Sequence, residues 1–218
     1  MPSSRRTKKV SLTQTSKKDR THKSSVISSV RSALDAHTSL YVFTYSSLRS
    51  SHFQSVRKDW SDSRLFISKN KLTQLALGKG EEDEYKENLR FASKMLKGSC
   101  GLLLTSRGKD EVVRYFSSLA SADYIRAGAT SPRTVNMTNR DLTVHPVSML
   151  PQLKKLGVPC AVTNGKVTLL TGSEWQVVKE GRVVTAEQAK VLGLMGEKLA
   201  EFRVELKGRW EGGEFEEL

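Results

Sequence analysis

Apolar positions recur with helical spacing from about Ser24, where Val26, Ile27, Val30 and Leu34 fall on one face. A β-rich run follows, Leu40-Tyr41-Val42-Phe43-Thr44-Tyr45. Ser46-Ser47 then reads as the cap of a second helix, whose Phe53, Val56 and Trp60 share a face. The short strand Leu65-Phe66-Ile67 runs straight into Ser68-Lys69-Asn70-Lys71 and a helix that ends at Gly78. The acidic run Glu81 to Glu84 is expected to open the next helix, since negative charge suits a helix N-terminus. Tyr85, Leu89, Ala92 and Leu96 give that helix a buried stripe, and Gly98 closes it. Strand Gly101–Thr105 and a helix carrying Val112, Val113, Phe116 and Leu119 come next. Strands alternating with helices predict an α/β domain, a sheet covered by helices.

The texture changes after Asp123-Tyr124-Ile125-Arg126-Ala127-Gly128. Pro132, Pro146, Pro151 and Pro159 crowd the residues that follow. A short helix near Leu150–Leu156 ends at Gly157, and two hairpins are expected after it. One turns at Asn164-Gly165, the strongest short hairpin signal. The other runs from Trp175–Val178 through Glu180-Gly181 into Arg182-Val183-Val184. From Thr185 a helical pattern returns, and Phe202–Leu206 alternates as a strand does. The expected organisation is a basic flexible arm over 1–23, an α/β domain from 24–127 plus 183–207, a small and mainly β inserted domain over 128–182, and an acidic tail over 208–218.

Charge changes this picture. The formal net charge is +13. Residues 1–23 carry eight Lys or Arg against one Asp, a basic arm on a nearly balanced body. The arm is poor in apolar residues and is expected to stay disordered until bound; it also suits a nuclear import signal. This balance points to a polyanionic partner, nucleic acid ahead of a membrane surface. No apolar run approaches the roughly 20 residues of a membrane span, and no secretory signal begins the sequence. Cys100 and Cys160 form no C-x-x-C pair and read as reduced core thiols of an intracellular protein.

Catalytic chemistry finds little support. His22, His37, His52 and His145 are scattered, without zinc-site spacing. Gly108-Lys109 and Gly165-Lys166 lack the preceding glycine and following Ser or Thr of a phosphate-binding P-loop. No metal, no cofactor and no catalytic residue is expected. RNA contacts fit better. Positive charge clusters at two helix starts that each follow a strand: Ser46 and Arg49, with Arg57 two turns on, and Lys69-Asn70-Lys71. Loops after adjacent parallel strands emerge on one sheet edge, and free N–H groups at helix starts favour anions. The candidate RNA-binding residues are therefore Lys9, Lys17, Lys18, Arg20 and Lys23 of the arm, with Ser46, Arg49, Arg57, Lys69, Asn70 and Lys71 of the body. Asn70 either caps its helix or contacts RNA.

The strand followed by Lys69-Asn70-Lys71 and Ala76 resembles the lysine-asparagine motif of the ribosomal stalk-base protein family, bacterial L-ten and eukaryotic P-zero. Leu48-Arg49 with Val56-Arg57 resembles that family's other rRNA-facing helix. Ala127-Gly128 resembles the hinge into its inserted domain, and Leu156-Gly157-Val158-Pro159 a junction within the insert. The likeness is stronger to one branch, the ribosome assembly factors of the mRNA turnover protein four group. It rests on "SRRTKKVSLTQTSKKDR", "KLTQLALGKGEEDEYKENL", "LKKLGVPC" and "AEFRVEL", and extends over about residues 1–207.

That branch implies a non-enzymatic factor on the large-subunit rRNA at the stalk base of the pre-60S particle, in the nucleolus and nucleus with possible shuttling to the cytoplasm. It implies a neighbouring stalk-base protein of the L-eleven/L-twelve family, a phosphatase-like release factor, and later replacement by P-zero. A stalk P-zero continues into spine helices that recruit acidic stalk proteins; this sequence ends "EGGEFEEL", so no acidic stalk proteins are expected as partners. Between Thr134 and Met149 the insert is shorter than in the family and lacks its Gly- and acid-rich segment. The alternative role is a structural protein kept in mature subunits.

Overall fold

The computed structural model describes residues 20–218. Lys9, Lys17 and Lys18 lie outside the described residues. The first helix, α1 (Arg20–Ala36), already includes Arg20 and Lys23, which the sequence pattern assigns to the arm. Then come β1 (Ser39–Ser46), α2 (Ser50–Asp59), β2 (Arg64–Phe66), α3 (Asn70–Leu77), α4 (Leu89–Met95), β3 (Cys100–Thr105), α5 (Lys109–Ser118) and β4 (Ala120–Asp123). Two late strands, β9 (Ala200–Glu211) and β10 (Glu214–Glu217), complete the same sheet.

The strand order is β10-β9-β1-β3-β2, with β4 also paired to β9, and every pairing is antiparallel. This corrects the premise of adjacent parallel strands. β1 and β2 do run the same way, but only because each is antiparallel to β3, which lies between them. The sheet is apolar on both faces. Leu40, Val42, Leu102 and Leu104 point one way, under α1, α3 and α4. Tyr41, Phe43 and Leu103 point the other way, under α2 and α5. Side chains alternate across a strand, so a sheet buried on both sides reads as an unbroken apolar run, as in Leu102-Leu103-Leu104.

Residues 208–218 are not a tail. Trp210 is buried against the first core and donates its indole N–H to the Glu87 carbonyl, while Phe215 packs beside it. Glu216 pairs with Lys109 at 2.5 Å. The acidic residues alternate with inward aromatics, which is strand chemistry that a charge count obscures.

Acidic residues 81–84 do not lie in a helix. They form the turn before α4, and the Glu84 carboxylate accepts the backbone N–H groups of Asn88 and Arg90 at 3.1 and 3.2 Å. The carboxylate serves the helix start from outside, where side-chain acceptors satisfy free donors. Gly78 ends α3 with φ +100°, and a Cβ there would lie 2.3 Å from the Glu84 Cα.

The insert has its own core: Met137, Leu142, Leu153, Val158, Cys160, Val167, Val177 and Val178. It contains β5 (Val135–Thr138), α6 (Asn139–Thr143), α7 (Leu150–Lys155), β6 (Cys160–Thr163), β7 (Lys166–Leu169), β8 (Glu174–Val178) and α8 (Ala186–Met195). The Asn164-Gly165 hairpin forms between β6 and β7, with both turn residues at positive φ. The second expected hairpin does not. β8 pairs with β5, and Val183 bridges Thr130 instead. The sequence pattern assigns α8 to the first domain, within residues 183–207. Its Val191 and Leu192 are buried in the insert core, so the insert continues through it. Periodicity marks which face of a helix is apolar, not which core receives it.

Candidate nucleic-acid interface

The Lys69–Lys71 corner is built by the end of β2 and the start of α3. Lys69 occupies the N-cap in an extended conformation, and no side chain caps the helix. Its carbonyl accepts from Leu72 and Thr73 at 2.8 and 3.2 Å. Ser68 Oγ is spent on the Thr73 hydroxyl at 2.6 Å. Lys69 and Lys71 are exposed, and neither meets a carboxylate among the described residues. Uncapped N–H groups beside two unpaired ammonium groups make a local anion-attracting field.

Asn70 neither caps nor points free. It donates Nδ2–H to the Gly98 carbonyl at 2.9 Å. Gln74, one turn on, donates to the carbonyls of Ser93 and Leu96. Together they fasten the start of α3 to the end of α4 and the Lys97-Gly98-Ser99 turn. Ser99 in turn accepts from the Tyr45 N–H at 3.1 Å, at the end of β1. The turn before β3 therefore sits between the ends of β1 and β2, and brings exposed Lys97 to the corner. Sequence reading missed Lys97, because only the antiparallel direction of β3 places its start at that end. Burial pushes the Cys100 thiol beside this turn up, so it stays protonated.

The second corner differs from expectation. Ser46 does not cap α2; it ends β1 and donates its hydroxyl to the Glu201 carbonyl at 3.2 Å. Ser47 adopts φ +49°, and Arg49 takes the N-cap. Arg49 already holds internal partners. Its Nε forms an ion pair with Asp123, whose side chain is only 8% exposed. Its Nη2 donates to the Tyr124 carbonyl at 3.1 Å. Arg126 reaches back to the Leu48 carbonyl at 2.9 Å. This arginine corner ties the β1–α2 loop to the strand that leads into the insert.

Arg57 lies two turns along α2, with its guanidinium 4.9 Å from the Phe53 ring centre. Arg20 and Lys23 stand on the exposed first turns of α1. The structure thus brings together Lys69, Lys71 and Lys97 through Asn70. It leaves Ser46 and Arg49 on internal partners, at the same end of the sheet. Among the described residues no cluster of His, Cys, Asp and Glu could hold a metal, and no helix is long and apolar enough to cross a membrane.

Comparison with known proteins agrees with this two-part architecture. The family described as ribosomal protein L10 matches residues 18–121, and a family described as an insertion domain in 60S ribosomal proteins of the L10 type matches residues 125–196. A ribosome assembly factor mrt4 from Dictyostelium discoideum is 33% identical, over 99% of this chain and 96% of that protein. The one from Schizosaccharomyces pombe is 35% identical, over 95% and 90%. The large ribosomal subunit protein uL10 of Thermococcus sibiricus is 26% identical over 68% of this chain but only 44% of its own length. These are names of assembly factors and ribosomal proteins, not of enzymes. The chain, with an L10 domain and the insertion domain that accompanies it, belongs to the mrt4 family of ribosome assembly factors.

Proposed function

We propose that this protein binds large-subunit rRNA at the stalk base of the pre-60S particle and holds that place until P-zero takes it. The observation that carries the reading is the corner at α3, where exposed Lys69 and Lys71 flank an uncapped helix start and Asn70 ties in the turn that bears exposed Lys97. The shared L10 domain supports the choice of rRNA, and the relatives' description as assembly factors supports a transient stay. A neighbouring L-eleven/L-twelve-type protein, a phosphatase-like release factor and a nucleolar location belong to the same proposal.

Fluorescence anisotropy with a stalk-base rRNA fragment tests it. Affinity should fall steeply with salt. Replacing Lys69, Asn70 and Lys71 by Ala should weaken binding and lower the salt slope by about 2, one for each lost ammonium contact. Unchanged binding removes the corner from the interface. Equal affinity for an unrelated hairpin removes site specificity. Profiling the protein across purified precursor and mature subunits tests the placeholder role; comparable occupancy of both would favour a permanent ribosomal protein.

A further inference from the structure

We infer that the groove along the free edge of the sheet takes a sugar–phosphate strand of RNA, continuing the corner at α3. The inference rests on the RNA-binding reading above. β2 is the outermost strand and pairs only with β3. α1 packs on one face of the sheet and α2 on the other, and residues of both line one cleft with β2. The cleft, of about 930 Å³, is lined by Ser28, Ser29 and Ser32 of α1, by Arg57 and Arg64, and by Trp60 and Phe66; the Ser29 hydroxyl donates its proton to the Ser25 carbonyl at 2.8 Å.

Three observations favour phosphate in this groove. First, Arg57 and Arg64 meet no carboxylate among the described residues. The acids closest in sequence are engaged elsewhere: Asp59 accepts from the Tyr115 hydroxyl at 2.7 Å, and Asp62 accepts from Arg107 at 2.8 Å. Second, α1 carries Ser24, Ser25, Ser28, Ser29 and Ser32. Serine is a middling helix former, and Ala, Glu or Lys would suit a merely solvated face better. Hydroxyl groups donate to phosphate oxygens and ribose, and arginine pairs with phosphate through two N–H groups. Third, the groove is continuous with the corner. The chain leaves it at Phe66 and reaches Lys69 three residues later, within about 10 Å of extended chain.

An acidic peptide added to β2 is the competing occupant. A strand of three residues offers few ladder hydrogen bonds, and a short edge strand bearing a charge discourages pairing with another chain. The side-chain chemistry therefore selects a phosphodiester strand.

The test is anisotropy with the same rRNA fragment over a series of salt concentrations, using the double variant Arg57→Gln/Arg64→Gln and the triple variant Ser28→Ala/Ser29→Ala/Ser32→Ala. The arginine variant should bind at least about tenfold more weakly, with the salt slope lowered by about 2. The serine variant should weaken binding with the slope unchanged. If the arginine variant keeps wild-type affinity and slope while the Lys69/Asn70/Lys71 variant is impaired, the corner binds RNA and the groove does not. If the wild-type protein binds no RNA, both readings fall. If the arginine variant melts early, photo-crosslinking of the wild-type complex decides: RNA adducts on peptides spanning 57–66 support the groove, and their absence overturns it. An arginine variant that keeps RNA but loses an acidic peptide assigns the groove to protein and overturns the inference.

Discussion

Replacing Arg49 by Ala separates a structural role from an RNA contact. The substitution deletes the ion pair to Asp123 and the hydrogen bond to the Tyr124 carbonyl. It leaves a carboxylate that is 8% exposed and retains a 2.7 Å bond from the Tyr124 N–H and His52 at 3.7 Å. Breaking a fully buried pair costs about 3–5 kcal/mol, and an exposed pair is worth about 0–1 kcal/mol. The Arg49 side chain is 35% exposed and the stranded Asp123 keeps partial partners. An intermediate loss of about 2 kcal/mol follows. In a domain of this size that lowers Tm by about 4–8 °C. Thermal melts should show this, and the cycle with Asp123→Asn should return a coupling of about 1–2 kcal/mol. RNA affinity at fixed salt should stay within about twofold, with the salt slope unchanged. A variant with wild-type Tm and a slope lowered by about 1 would refute the reasoning and make Arg49 a phosphate contact.

Gly78→Ala should abolish soluble expression or lower Tm sharply, because φ +100° and a 2.3 Å approach to the Glu84 backbone leave no room for a methyl group; melts and solubility assays read this. Thr185→Ala should cost about 1 kcal/mol in urea unfolding, since Thr185 and Gln188 form a reciprocal capping box on α8. Hydrogen bonds from Arg107 hold the Asp62 carboxyl below its usual value of 3.8. Its contribution is therefore complete above that pH and is lost as pH falls further, so acid titration should erase the stability difference between wild type and Asp62→Asn.

The apolar runs Leu40–Phe43 and Leu102–Leu104, the helix faces of Val30, Leu34, Phe53 and Val56, and the Asn164-Gly165 turn follow from the sequence alone. Each depends on local periodicity or on a turn conformation that few residues adopt. The exposed lysines at the start of α3 were equally legible, because a strand handing over to a helix leaves its first turn in water. Partner choice was not legible. The direction of β3, the pairing of β8 with β5, the packing of α8 into the insert and the folding of Glu214–Glu217 into an edge strand each depend on which apolar face finds which core. The Arg49 pair with Asp123 and the arrival of Lys97, which the sequence pattern does not single out, beside α3 have the same cause. A charged side chain becomes a contact or a strut according to what lies across from it, and Asp123 and Gly98 are brought there only once the strands have paired.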